Sequence, residues 1–146
     1  MTHGAIVCTM KSMKKVLIIE DDIAMQELIS KELGTAYEVK SVSEGTAAIA
    51  EASVFQPNVI LLDINLLGSM DGVAILDLLR SDDFTSTIPV LVYTNSDSDR
   101  KQELLDHGAN DYLTKAHTDV ASIAAVIKKY AELPPIPVVK KAEGEE

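Results

Sequence analysis

Val59-Ile60-Leu61-Leu62-Asp63-Ile64-Asn65 sets four consecutive apolar residues against a carboxylate. A continuous rather than alternating apolar run of this length suits a strand covered on both faces, and the acid marks where that strand leaves the core. The arrangement recurs on either side. Val16-Leu17-Ile18-Ile19 runs into Glu20-Asp21-Asp22, Val90-Leu91-Val92-Tyr93 runs into Thr94, and the weaker Tyr112-Leu113 is soon followed by Lys115. A further strand is predicted at Tyr37-Glu38-Val39-Lys40-Ser41-Val42, where alternation suggests a more exposed edge.

Segments of helical spacing separate these strands. Met25, Leu28, Ile29 and Leu33 form one stripe, and Gly34 can take the left-handed conformation that ends it. Ser43 is placed to cap a second, alanine-rich helix running through Val54 and halted before Pro57. Asp71 is placed to cap a third, with Ile75, Leu78 and Leu79 on one face. A fourth is predicted from about Ser98 to His107 with Gly108 as its stop, and Val120, Ile123, Ala124, Ile127 and Ala131 give the fifth. Strand followed by helix, repeated five times, implies right-handed crossovers. The expected fold is α/β: a five-stranded parallel sheet of order 2-1-3-4-5, flavodoxin-like, with helices on both faces and its crevice at the carboxyl ends of the strands.

The chain has 146 residues, enough for one domain of ordinary size. Residues 1–13 are expected to be an N-terminal extension, 14–132 the folded domain, and 133–146, with Pro134, Pro135 and Pro137, a charged tail. Thirteen basic against 23 acidic residues give a net charge of −10, which would repel a phosphate backbone, so direct nucleic-acid binding is not expected. One cysteine, Cys8, excludes an intramolecular disulfide, and no apolar run approaches the length of a membrane span. A cytoplasmic location without membrane attachment is expected.

The topology gathers Glu20, Asp21, Asp22, Asp63, Thr94 and Lys115 at one end of the sheet. Two carboxylates about 4 Å apart repel by about 4 kcal/mol at an effective dielectric near 20, so a cation must compensate. Oxygen donors without a nearby histidine or cysteine favour Mg2+ over zinc. Acids at a helix N-terminus are also favoured by the helix dipole, which leaves a purely structural reading open for Glu20 and Asp22. Asp63 is placed to act as a nucleophile toward phosphorus, with Thr94 donating its hydroxyl to one phosphoryl oxygen and Lys115 pairing with another.

As a set, Glu20-Asp21, Asp63, Asp71-Gly72, Thr94, Gly108-Ala109-Asn110-Asp111-Tyr112 and Lys115 resemble the CheY-like receiver domain of bacterial two-component response regulators, over roughly Lys14 to Ala131. The resemblance implies a phosphorelay domain in which Asp63 accepts a phosphoryl group from a histidine kinase or histidine phosphotransfer protein. It implies a Mg2+ site made of Glu20, Asp21, Asp63 and the main-chain carbonyl of Asn65, with Glu20 acting largely through water. Thr94 and Lys115 match the phosphoryl-binding pair, and Thr94 with Tyr112 the switch. A downstream protein target is then expected on the face of helix 4, strand 5 and helix 5, and the domain is expected to be a phosphoacceptor rather than an enzyme.

Three positions depart from the family pattern. Gly72 stands nine positions after Asp63 where eight are more usual, with Leu67 where a proline is common; Asn95 follows Thr94 in place of a small residue; and Ala116 follows Lys115 where a proline is common, often across a cis bond. Rival readings are a degenerate receiver that binds partners without phosphorylation, a phosphatase of the haloacid dehalogenase type, and a flavodoxin-like cofactor binder. The phosphatase normally carries an aspartate where Asn65 stands, and a flavin phosphate would be repelled by Glu20-Asp21-Asp22. His107 and His117 are expected to be solvated, and Met25, Met70 and Tyr93 to pack.

Overall fold

The computed structural model describes residues 13–64, 71–94, 100–115 and 118–132. In chain order the elements are β1 (Lys14–Ile19), α1 (Ile23–Leu33), a 3-10 turn (Gly34–Ala36), β2 (Tyr37–Val42), α2 (Gly45–Phe55) and β3 (Val59–Asp63). There follow α3 (Gly72–Ser81), β4 (Val90–Thr94), α4 (Lys101–Asp106), β5 (Asp111–Thr114) and α5 (Val120–Ala131). The strands form one parallel sheet of order β2-β1-β3-β4-β5, as the repeated strand–helix pattern predicts. No described helix is long and apolar enough to cross a membrane.

Two layers of core flank the sheet. Val16, Ile18, Val59, Leu61, Leu91 and Tyr93 face α1 and α5, where Ile29, Leu33, Ile123, Ile127 and Ala131 meet them. Leu17, Ile19, Ile60, Leu62, Val90 and Val92 face α2, α3 and α4. Strict alternation along each strand carries this parity to the strand ends. Glu20, Asp63 and Lys115 therefore fall on the α1/α5 side, while Thr94 falls with Tyr112 on the other, where Tyr112 packs against the second core.

Both stripes predicted for α1 and α3 need one correction each. Leu28 is half exposed and Gln26 is buried in its stead; Leu78 is 43% exposed and Leu76 is buried. At 3.6 residues per turn each of these leucines lies about 100° from the buried neighbour one residue on, outside the arc that faces the sheet. Ser43 does not cap α2: Glu44 occupies the cap position without a side-chain bond, and the Ser43 hydroxyl instead accepts from Gln26 Nε2 at 3.5 Å. α2 runs to Phe55, and Gln56 closes it in the left-handed conformation at φ 52°.

The aspartates at positions 22, 71 and 119 cap α1, α3 and α5 through bonds from Met25 N, Val73 N and Ser122 N. Gly34 ends α1 with the expected positive φ of 68°, but its ψ of −152° lies outside the left-handed helical region and in one essentially confined to glycine. The helical part of α4 starts at Lys101; the predicted start at Ser98, residues 1–12 and 133–146 of the two terminal extensions, Leu67, Met70, Asn95, Ala116 and His117 lie outside the described residues.

Candidate functional site

The sheet order sets the ends of β1, β3 and β4 side by side, and loops leaving in opposite directions open a crevice there. Glu20, Asp21 and Asp63 converge in it, each offering a carboxylate oxygen within 4.8 Å of the others. Glu20 and Asp63 are buried, whereas Asp21 is partly open to solvent. Asp22, next in sequence, turns away to cap α1.

Lys115 neutralises part of this charge. Its Nζ donates to Glu20 Oε1 at 3.0 Å and to Asp63 Oδ2 at 3.2 Å, so one ammonium bridges two carboxylates from different strands. The main chain aims it there: Lys115 N donates to Thr94 O at 2.8 Å, extending the β4–β5 ladder by one residue past Thr114. Glu20 is held from the other side by the Asp22 N–H on Oε2 at 3.0 Å and by its own N–H to Val42 O at 3.0 Å. Gln26 Nε2 also donates to the Glu20 carbonyl, which explains why a polar residue faces inward from α1.

Burial raises the Glu20 pKa; the Asp22 N–H opposes it, Asp63 reinforces it, and the hydrogen bond from Lys115 opposes it. For Lys115, burial works to lower the pKa, yet the bond to Glu20 and the charges of Asp63 and Glu20 outweigh it and leave the ammonium more basic than usual. The pocket is thus a buried pair of acids sharing one cation, with a third acid at the mouth. Two or three carboxylate oxygens and no nitrogen or sulfur donor in the cluster suit a hard divalent cation such as Mg2+.

Thr94 is fully buried at the end of β4, one residue past Tyr93, whose strand partner is Asp63. Tyr112 lies on β5 opposite Val92, two residues before the position paired with Thr94 and on the same face. The sequence-predicted residues Glu20, Asp21, Asp63, Thr94 and Lys115 therefore meet at one end of the sheet. Asn65 lies outside the described residues.

Close packing fixes the backbone just beyond Asp63. A Cβ on Gly72 would stand 2.5 Å from Ile64 Cβ and 2.6 Å from Ile64 Cα, so the first turn of α3 rests directly on the residue that follows Asp63. At the far end of the sheet, Arg80 reaches from α3 to the carbonyls of Gly108, Ser86 and Ile88 and to Asn110 Oδ1, at 2.7–3.1 Å. A lone arginine in the last turn of a helix carries no sequence mark of such a role. Tyr93, expected only to pack, also belongs to the site: its ring lies beneath the Lys115 ammonium, 4.6 Å from Nζ to the ring centroid.

This chain belongs to the response regulator receiver domain family, whose pattern it matches over residues 16–128. Among curated proteins it is similar to the DNA-binding dual master transcriptional regulator RpaA of Synechocystis, 35% identical over 127 residues that cover 84% of this chain and 52% of that protein. The chain thus spans about half the length of that relative. Among solved structures it resembles the phosphorylated cyanobacterial phytochrome response regulator RcpA, with TM-score 0.66 and 30% identity, covering 81% of this chain and 91% of that one. It also resembles the Mn2+-bound response regulator Rcp1, with TM-score 0.71 and 28% identity, covering 86% of this chain and 99% of that one. The five-stranded order and the family membership agree with the resemblance drawn from the strand-end residues.

Proposed function

We propose that this domain accepts a phosphoryl group on Asp63 from a histidine kinase or a histidine phosphotransfer protein and relays the change to a protein partner. The observation that carries the reading is the Lys115 ammonium held between Glu20 and Asp63, beside a third carboxylate, where the strands end. An Asp63 carboxylate oxygen attacks phosphorus of a phosphohistidine. An O–P bond forms as the P–N bond breaks, and the electron pair of that bond stays on the imidazole nitrogen, which takes a proton. Water attacking the same phosphorus reverses the modification, releasing phosphate and the free carboxylate.

Glu20, Asp21, Asp63 and the carbonyl of Asn65 would hold Mg2+, which when bound supplies positive charge against the phosphoryl oxygens. The Mn2+-bound state of Rcp1 and the phosphorylated state of RcpA support this assignment for a related site. Lys115 pairs with one phosphoryl oxygen and the Thr94 hydroxyl donates to another. To reverse a 1:99 equilibrium to 99:1, phosphorylation must favour the active form by about 5.5 kcal/mol. A few charge-assisted hydrogen bonds at about 1.5–3 kcal/mol each suffice.

The response appears on the face of α4, β5 and α5. Thr94 and Tyr112 share the sheet side that α4 covers, and among the described residues α4 runs for six, with Leu104 buried and Leu105 partly buried against the core. So small an apolar anchor suits a helix that shifts when the pocket fills. The domain assists its own phosphorylation and dephosphorylation, turns over no external substrate, and makes no direct contact with nucleic acid or membrane.

Intact mass after incubation with acetyl phosphate and Mg2+ tests the proposal. A phosphoryl adduct that needs the metal is expected on the parent and absent from Asp63→Asn. Equal labelling of both proteins would place the acceptor elsewhere, and no labelling of the parent would favour a domain that works without phosphorylation.

A further inference from the structure

Tyr93 is the largest of the fully buried side chains, and its hydroxyl has no hydrogen-bond partner among the described residues. A buried hydroxyl left in that state is unfavourable and rare, and it calls for a reason. Packing alone would be served better by phenylalanine or leucine. The surroundings supply the reason. Tyr93 is the register partner of Asp63 on the α1/α5 face, and its ring lies under the Lys115 ammonium. Burial, and after it the adjoining Glu20 carboxylate with Asp63 and Asp22 beyond, drive its pKa well above the ordinary tyrosine value. The hydroxyl thus lies near the Glu20 carboxylate without closing a hydrogen bond to it, while both Glu20 oxygens already have donors, Lys115 Nζ on Oε1 and the Asp22 N–H on Oε2.

We propose that Tyr93 is a positioning residue for phosphoryl transfer: its ring carries the Lys115 ammonium between Glu20 and Asp63, and its hydroxyl is the reserve donor that Glu20 takes when Lys115 turns to a phosphoryl oxygen. The ring confines a flexible four-carbon side chain by cation–π attraction, which is strengthened where water is excluded. When Lys115 swings to the new anion, Glu20 loses its donor from that side, and the hydroxyl beside it replaces the lost bond. The inference rests on the receiver function proposed above.

Tyr93→Phe and Tyr93→Leu in the full chain separate the two roles. In the metal-free protein the NMR resonance of the Lys115 ε-methylene should be shifted upfield by the ring in the parent and in Tyr93→Phe, and should return to its ordinary position in Tyr93→Leu. With acetyl phosphate and Mg2+, Tyr93→Leu should take up phosphoryl groups about five- to tenfold more slowly than Tyr93→Phe, which keeps the ring beneath Lys115. The phosphorylated Tyr93→Phe protein should lose its phosphoryl group about fivefold faster than the parent. An unshifted lysine resonance in the parent, or parental uptake by Tyr93→Leu, would overturn the role of the ring. Parental hydrolysis by Tyr93→Phe would overturn that of the hydroxyl, and equal losses in both variants in step with their Tm would reduce Tyr93 to packing. Failure of the parent itself to be phosphorylated would count against the receiver reading instead, and the metal-free resonance would still report the ring–lysine contact.

Discussion

Gly72→Ala adds one methyl group where the first turn of α3 meets the residue after Asp63. The new carbon would stand 2.5 Å from Ile64 Cβ and 2.6 Å from Ile64 Cα and Cγ2, over an ångström inside normal contact. Because one of those atoms is backbone, no rotamer of Ile64 relieves the overlap; the helix start or the end of β3 must move. Overpacking of this kind costs about 3 kcal/mol. For a domain of this size that is a drop of about 10 °C in Tm. The displaced Ile64 carries Asp63 with it, so phosphorylation by acetyl phosphate should slow by more than the loss of stability explains at a temperature where the variant is fully folded.

Gly34→Ala is the matched control: a Cβ there meets nothing within 4 Å, but φ 68° with ψ −152° is a conformation essentially confined to glycine, so it should cost about 2 kcal/mol through backbone strain and leave phosphorylation unchanged. Thermal unfolding by circular dichroism and intact-mass time courses give both quantities. A Gly72→Ala protein with parental Tm and parental rate would refute the claim that α3 buttresses the acceptor.

Two further outcomes follow from the hydrogen bonds. Arg80→Ala removes the donor for three carbonyls and Asn110 Oδ1, which itself receives Val90 N, and should destabilise the domain by about 3 kcal/mol in chemical denaturation; a loss within experimental error would mean that water replaces the guanidinium there. His107, whose Nδ1 lies 2.6 Å from Asp77 Oδ1, has a raised pKa, chiefly through that bond, with Glu103 and Asp106 adding to it. The pair therefore contributes its stability fully below the ordinary histidine value of 6.5 and loses it as pH rises through the raised folded value. Histidine NMR titration should show this upward shift and its removal in Asp77→Asn; an unchanged midpoint in that variant would contradict the pairing.

The strands were legible because a parallel sheet covered on both sides demands unbroken apolar runs, and the acids stood out because each interrupts such a run at its last residue. Helix faces were read less sharply. Leu28 and Leu78 satisfy a loose three-or-four spacing, but the sheet faces a narrower arc, and at the site end of α1 the inward place belongs to Gln26 because the Glu20 carbonyl needs a donor. Ser43 looked like a cap because side-chain type cannot tell whether a hydroxyl serves its own helix or a neighbouring one. Arg80 and Tyr93 were illegible for a different reason: two of the Arg80 partners, Gly108 and Asn110, lie 28 and 30 residues away, and those of Tyr93 lie on β3 and beyond β5, distances along the chain that only the folded sheet closes.

Adjacent residues of β4 look in opposite directions, Tyr93 toward the acids and Thr94 toward Tyr112. The peptide unit between them is the shortest bridge from one side of the molecule to the other. Deleting a single residue within that strand would exchange the two outlooks at once, so β4 tolerates substitutions far better than changes of length.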